Sequence, residues 1–296
     1  MNKLAVLLQS KKPILLDGAM GTMLFAAGLD SGDSPEEWNV IHPDKVREIH
    51  HAYIEAGSQV ILTNTFGGSA VRLESHGLAE RVHELNEAAA KNARAEADAV
   101  ERTVVVAGSI GPTGQLLEPL GTLTRDEARK SFAAQAGGLA AGGVDMFWIE
   151  TMSDLEEVKA AVAGIRSVSD LPIAATMSFD SHGHTMMGIS PSQAAKELSQ
   201  LGLVALGANC GTGSNELIEA IHAMKEAVPD LVLIAKANAG IPQLMEDGEV
   251  VYNGSPDVMG KYAKEVFQTG ARLIGGCCGN TPAHIAEMAK ALLEFS

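Results

Sequence analysis

The chain has 296 residues, of which 46 % are hydrophobic and 20 % charged, the balance of a globular enzyme with a sizeable core. Its 22 basic against 37 acidic residues leave a formal charge of −15, which argues against nucleic acid or an anionic membrane surface as a partner. No apolar run approaches the roughly 20 residues that span a bilayer, and three cysteines, an odd number, fit a reducing compartment better than a disulfide framework, so a cytoplasmic protein is expected.

The first ten residues are too short in their apolar part for a signal peptide and read as a leading helix. Short β-branched or apolar runs then predict strands at 14–17, 60–64, 104–109, 146–150, 173–178, 205–209, 232–236 and 273–276. Their lack of polar alternation suits a parallel sheet buried on both faces. Helices are predicted between them at 42–56, 78–99, 125–141, 154–168, 191–201, 214–227, 255–269 and 282–295. Ser153-Asp154, Ser190-Pro191, Gly213-Ser214, Ser255-Pro256 and Thr281-Pro282 mark helix starts, and Gly57, Gly142-Gly143, Gly202 and Gly270 mark stops. Eight strand–helix units without a linker predict an α/β fold, a (β/α)8 TIM barrel filling residues 1–296 as a single domain. A doubly wound sheet would carry Gly-x-Gly-x-x-Gly after the first strand, and this chain does not.

The active site of such a barrel lies at the C-terminal ends of its strands. There the sequence sets Asp17-Gly18, Asn64-Thr65-Phe66-Gly67, Glu150-Thr151, Asn209-Cys210, Asn238 and Cys277-Cys278. Strands six and eight flank strand seven, so Cys210 and the Cys277–Cys278 pair share one arc of the rim with Asn238 and Asp17. Thiolates are soft ligands for zinc, and three protein ligands with one open position hold a catalytic zinc. Adjacent residues of a regular strand point to opposite faces. Both Cys277 and Cys278 can face one ion only if the backbone leaves strand geometry, which Gly275, Gly276 and Gly279 permit. Glu150 closes an apolar strand, so its charge must meet a cavity or a partner.

Taken in order, Asp17-Gly-Ala-Met-Gly-Thr, Thr63-Asn-Thr-Phe, Gly108-Ser-Ile-Gly-Pro, Ile149-Glu-Thr, Asn209-Cys and Gly275-Gly-Cys-Cys-Gly-Asn-Thr-Pro resemble the homocysteine S-methyltransferase family over nearly the whole chain. The resemblance implies a barrel that binds Zn2+ through Cys210, Cys277 and Cys278, with the homocysteine sulfur at the open position. It implies that Asp17, Gly18 and Glu150 hold the amino-acid end of homocysteine. Asn238 matches a position that approaches the metal when substrate is absent.

The resemblance therefore implies methionine formation from homocysteine and a small-molecule methyl donor. Glycine betaine is the leading expectation for the donor. S-methylmethionine, or a corrinoid protein methylated from methyltetrahydrofolate, is the alternative. Animal-type betaine enzymes place tyrosines where this chain has Gly67 and Thr151. A quaternary ammonium needs an aromatic cage, and Trp38, Phe66, Phe25 and Phe179 are the candidates to build it. A zinc- or thiol-sensing protein without turnover would need a closed four-ligand site, for which the sequence offers no fourth thiol. The pattern leaves the oligomeric state open, a homo-oligomer included.

Overall fold

The computed structural model describes residues 3–244 and 250–295. Every predicted strand is present. They are β1 (Ile14–Leu15), β2 (Val60–Leu62), β3 (Val105–Ile110), β4 (Met146–Met152), β5 (Ile173–Met177), β6 (Ala205–Cys210) and β7 (Leu233–Ala237). A two-stranded hairpin, β8 (Pro242–Leu244) with β9 (Val250–Tyr252), precedes the last barrel strand, β10 (Ala271–Gly276). The barrel strands are parallel and run in the order β1-β10-β7-β6-β5-β4-β3-β2. A parallel bridge from Leu16 to Val60 joins the two ends, and the sheet closes into the expected (β/α)8 barrel.

Period-two alternation divides the apolar residues into two shells. Ile14, Leu16, Val60, Val105, Met146, Trp148, Ile234 and Leu273 fill the barrel interior, and Leu4 of the leading helix joins them from below. Leu15, Val106, Phe147, Ile149 and Leu206 face outward and pack under the helices. The caps read from sequence operate at Asp154, which accepts from the Glu156 N–H, and at Ser190, which accepts from the Gln193 N–H. Ser255 stands at its helix start without a side-chain cap bond.

Three of the elements that go beyond the sequence pattern bear on the barrel mouth. A helix at Met20–Ala26 follows β1. A short 3-10 turn and helix, Pro35–Glu37 and Trp38–Ile41, then cross the barrel mouth. The third is the β8–β9 hairpin, whose three-residue strands are too short to show a period. Among the described residues, no helix is long and apolar enough to cross a membrane.

Candidate metal and substrate site

The barrel interior turns polar near the C-terminal ends of the strands. Two residues beyond Trp148, Ile234, Ala107 and Ala174, on the same inward face, stand Glu150, Lys236, Ser109 and Thr176, all buried. Apolar residues below and polar residues above thus share the same strands, and an uneven seam of charge caps the core.

The charged part of this layer is a buried triad. Lys236 Nζ lies 3.0 Å from Asp17 Oδ1, and Asp17 Oδ2 accepts the Leu62 N–H at 2.6 Å. Ser109 Oγ donates to Glu150 Oε1 at 2.5 Å. Burial pushes Asp17 above its ordinary range, while Lys236 and the Leu62 N–H pull it back. Burial pushes Glu150 up to about 7 against the opposing pull of Lys236. The two carboxylates in turn hold Lys236 firmly protonated despite its 3 % exposure. With Glu150 ionised the triad carries one net negative charge, which suits an ammonium ligand. Gly18 sits beside Asp17 because the chain is squeezed there: a Cβ would lie 2.6 Å from the Asn280 carbonyl and 2.8 Å from the Tyr53 ring.

The three thiols converge on the same mouth. Their sulfurs lie within 4.8 Å of one another, with Cys210 and Cys277 at 2.7 Å, and none is in a disulfide. Two backbone departures bring this about. Cys210 follows the inward-facing Asn209 and would point outward in a regular strand, but its φ of 57° turns it into the site. After β10, residues 277–280 form a turn closed by Asn280 N–H to Cys277 O at 3.1 Å, with Gly279 at φ 77°. That turn, and not the glycines ahead of it, brings Cys278 beside Cys277.

Asn209 ties the cluster to its neighbours. Its Oδ1 accepts from Thr151 N and Thr176 Oγ1, and its Nδ2 donates to Thr151 Oγ1. The same Nδ2 reaches Cys210 Sγ at 3.4 Å and Cys277 Sγ at 3.7 Å. Tyr252 from β9 stands beside Cys278 and helps lower its thiol.

The donor set fits a soft metal ion. Crowded together, the thiols contend for protons: hydrogen bonding from Cys210 and Cys277 pulls Cys278 well down, while bonding to Cys277 pushes Cys210 up. A cation at the centre relieves that contest by ionising them together. Zinc bonds of about 2.3 Å space tetrahedral sulfurs about 3.8 Å apart, so the cluster closes on zinc with movements of about 1 Å. Asn238 adds an unpartnered buried oxygen, Oδ1, beside this arc, while its Nδ2 donates to Gly211 O at 2.9 Å.

A cavity of about 330 Å³ joins the cysteines to Asp17, Gly18, Glu150 and Lys236. The homocysteine S-methyltransferase family model matches residues 14–292. The chain belongs to the homocysteine S-methyltransferase family. It is 35 % identical over 303 residues to the methionine synthase of Mycobacterium tuberculosis (strain ATCC 25618 / H37Rv), covering 97 % of this chain and 25 % of that protein. The methionine synthase of Mycobacterium leprae is 34 % identical over 293 residues, covering 93 % and 24 %. The chain therefore spans about a quarter of the length of these curated relatives. The metallated form of the homocysteine methyltransferase MmuM from Escherichia coli superposes with a TM-score of 0.82 at 26 % identity, covering 98 % of this chain and 99 % of that one.

In this family member the aromatic residues expected around a donor do not gather. Phe66 lines the cavity at 42 % exposure. Trp38 does not reach it: the ring is 4 % exposed, packs edge-on against His42 and lies under Lys45 Nζ at 4.7 Å. Phe179 is buried away from the cavity, and Phe25 points to solvent from the Met20–Ala26 helix. Asn238 is likewise absent from the cavity wall.

Three residues of the site escape the sequence reading. Lys236 ends an apolar strand as Glu150 does, and the same rule singles it out. Asn209 stands in the sequence only as part of its motif. Glu36 lines the cavity from the 34–41 segment, where no periodicity marks it.

Proposed function

We propose that this chain is a zinc-dependent homocysteine S-methyltransferase forming methionine, with residues 1–296 acting as one homocysteine-binding barrel domain. One observation carries the reading. Three thiols and a triad that carries one net negative charge when Glu150 is ionised open into the same cavity, matching the two ends of homocysteine, its sulfur and its ammonium. Cys210, Cys277 and Cys278 would hold the zinc. When bound, zinc ionises the substrate thiol and fixes the place of its sulfur.

The remaining work falls to this chain's own side chains. Asp17 and Glu150 receive the ammonium, Gly18 lets the chain beside Asp17 pack against Asn280 and Tyr53, and Lys236 opposes proton uptake by both carboxylates. Asn209 orients two of the thiols. Positioning of this kind is worth on the order of 7–11 kcal/mol against a bimolecular encounter when alignment is good. Because the ligand thiols must stay reduced, the reading also places the protein in the cytoplasm.

For the donor, the site supports S-methylmethionine better than glycine betaine. A trimethylammonium group asks for several ring faces, and Phe66 is the one aromatic residue among those lining the cavity. With S-methylmethionine, the homocysteine sulfur attacks the sulfonium methyl carbon. The carbon–sulfonium bond breaks with its electron pair passing to the departing sulfur, the thiol proton goes to solvent, and two methionines result. A corrinoid partner protein is the second source of methyl in this reading.

The test is a donor panel on the purified chain, with homocysteine plus S-methylmethionine, glycine betaine or methylcobalamin, and methionine measured by mass spectrometry. Turnover with S-methylmethionine alone is expected. Turnover with betaine alone would return the assignment to betaine, and full activity in zinc-free protein would overturn the zinc reading.

A further inference from the structure

We infer that Glu36, with the ring of Phe66, forms a separate subsite for the methyl donor, and that it selects a sulfonium donor bearing a primary ammonium group. The inference rests on the methyltransferase reading above.

Glu36 is a buried carboxylate without a countercharge. It is 4 % exposed and lines the cavity that holds the cysteines. Its Oε1 accepts the Gly67 N–H at 2.7 Å and its Oε2 accepts the Ser34 hydroxyl at 3.0 Å, both neutral donors. Among the described residues no cation pairs with it. Arg81 pairs with the adjacent Glu37 instead, and Arg72 passes Gly67 with its stem while its guanidinium lies against Gly114. An ionised carboxylate removed from water needs more than two neutral hydrogen bonds to offset its lost hydration. Each of its oxygens still has a free lone pair.

The carboxylate is also fixed in place. Asn39 Nδ2 donates to both the Glu36 and Asn64 carbonyls at 2.8 Å, and Asn64 Nδ2 donates to the Pro35 carbonyl at 2.6 Å. These bonds clamp the 34–41 segment to the end of β2. Gly67 completes the fit, since a Cβ there would lie 2.9 Å from Glu36 Oε1. Here the carboxylate of Glu36 takes up space beside residue 67 that a side chain would need, and Phe66 next to it presents an exposed ring.

A carboxylate on the cavity wall and a cage of aromatic rings recognise different cations. A trimethylammonium has no N–H to donate and is held by ring faces. A primary ammonium donates charge-assisted hydrogen bonds to a carboxylate. S-methylmethionine carries such an ammonium and a sulfonium that Phe66 can face. Two amino-acid substrates then meet two separate anionic walls: homocysteine at Asp17 and Glu150, and the donor at Glu36.

The test measures donor binding directly. Isothermal titration calorimetry on the zinc-loaded protein compares wild type, Glu36→Gln and Phe66→Leu. The titrants are S-methylmethionine, homocysteine and dimethylsulfoniopropionate, a sulfonium without an ammonium. Glu36→Gln should weaken S-methylmethionine about ten- to a hundredfold, as expected for loss of a charged hydrogen-bond partner. Homocysteine and dimethylsulfoniopropionate should change by less than about threefold, within the range of a retained neutral contact. Phe66→Leu should weaken both sulfonium compounds and leave homocysteine unchanged.

An equal loss for homocysteine would assign Glu36 to the acceptor site and overturn the inference, as would unchanged S-methylmethionine affinity. The Glu36→Gln side chain keeps an oxygen for the Gly67 N–H, and a thermal melt checks its fold; if that variant is unfolded, Glu36→Asp, which keeps the charge but draws it back from the cavity, must weaken S-methylmethionine and spare dimethylsulfoniopropionate, and an unchanged S-methylmethionine affinity there overturns the inference. The two readings fail separately. Binding through Glu36 without methionine formation sinks the methyltransferase assignment, and methionine formation with an unchanged donor KM in Glu36→Gln sinks the subsite.

Discussion

Replacing Lys236 by methionine tests the electrostatic logic of the site most directly. Its ammonium lies 3.0 Å from Asp17 Oδ1, a Coulomb attraction of about 5.5 kcal/mol at an effective dielectric of about 20. Desolvation of both ions offsets part of this, and removing one partner of such a buried pair costs about 3–5 kcal/mol. That is a large share of a stability of about 5–15 kcal/mol. The cost must depend on pH in a defined direction. Without Lys236, burial raises Asp17 and Glu150 further, so the folded chain binds their protons more tightly than the unfolded one. Stability from a raised carboxyl is fully present below its unfolded pKa and is lost as pH rises through the folded value. The penalty of Lys236→Met should therefore grow by about 2 kcal/mol between pH 5 and 7.5. Urea unfolding at the two pH values measures it, and Asp17→Asn in the Lys236→Met background should recover part of the loss at pH 7.5. A penalty below about 1 kcal/mol that does not change with pH would refute the claim that Lys236 neutralises these carboxylates.

The other expectations concern single residues. Glu150, raised to about 7 from an ordinary 4.5, contributes stability that is complete below about 4.5 and disappears through about 7. The difference in unfolding free energy between wild type and Glu150→Gln should therefore shift by about 3 kcal/mol across that window. Cys210→Ala, Cys277→Ala and Cys278→Ala should each cut bound zinc from about one equivalent to about a tenth, read by elemental mass spectrometry. Asn209→Ala leaves the three sulfurs but removes their amide donor, and should weaken zinc about ten- to a hundredfold in chelator competition. Gly18→Ala should cost about 1–3 kcal/mol in denaturant unfolding, because its Cβ meets the backbone oxygen of Asn280.

Barrel strands and most helices are legible because burial imposes a period on them, and caps and glycines punctuate their ends. The rim residues follow from that: with Glu150, Cys210 and Cys277 assigned to strand ends, their common face is settled by the barrel's closure. Lys236 obeys the same rule and is readable, yet a single lysine after an apolar run draws less notice than a cysteine pair. The Trp38 expectation goes astray for a different reason. An aromatic residue near the mouth has the right chemistry for a donor cage, but the helix at Trp38–Ile41 turns its ring toward His42 and Lys45.

Local pattern thus determines the architecture, the three thiols and the rim on which they lie, since strand period and turn chemistry act over a few residues. Tertiary contact decides the rest. Cys210 enters the site through a left-handed backbone that no neighbouring residue requires, and Cys278 through a turn that Asn280 closes. Glu36 meets Gly67, 31 positions away, and Asp17 meets Lys236, 219 positions away. Charge and burial at such distances arise only when the barrel closes, which is why the rim with its thiols, Asp17 and Glu150 is largely readable along the chain and the place of Glu36 is not.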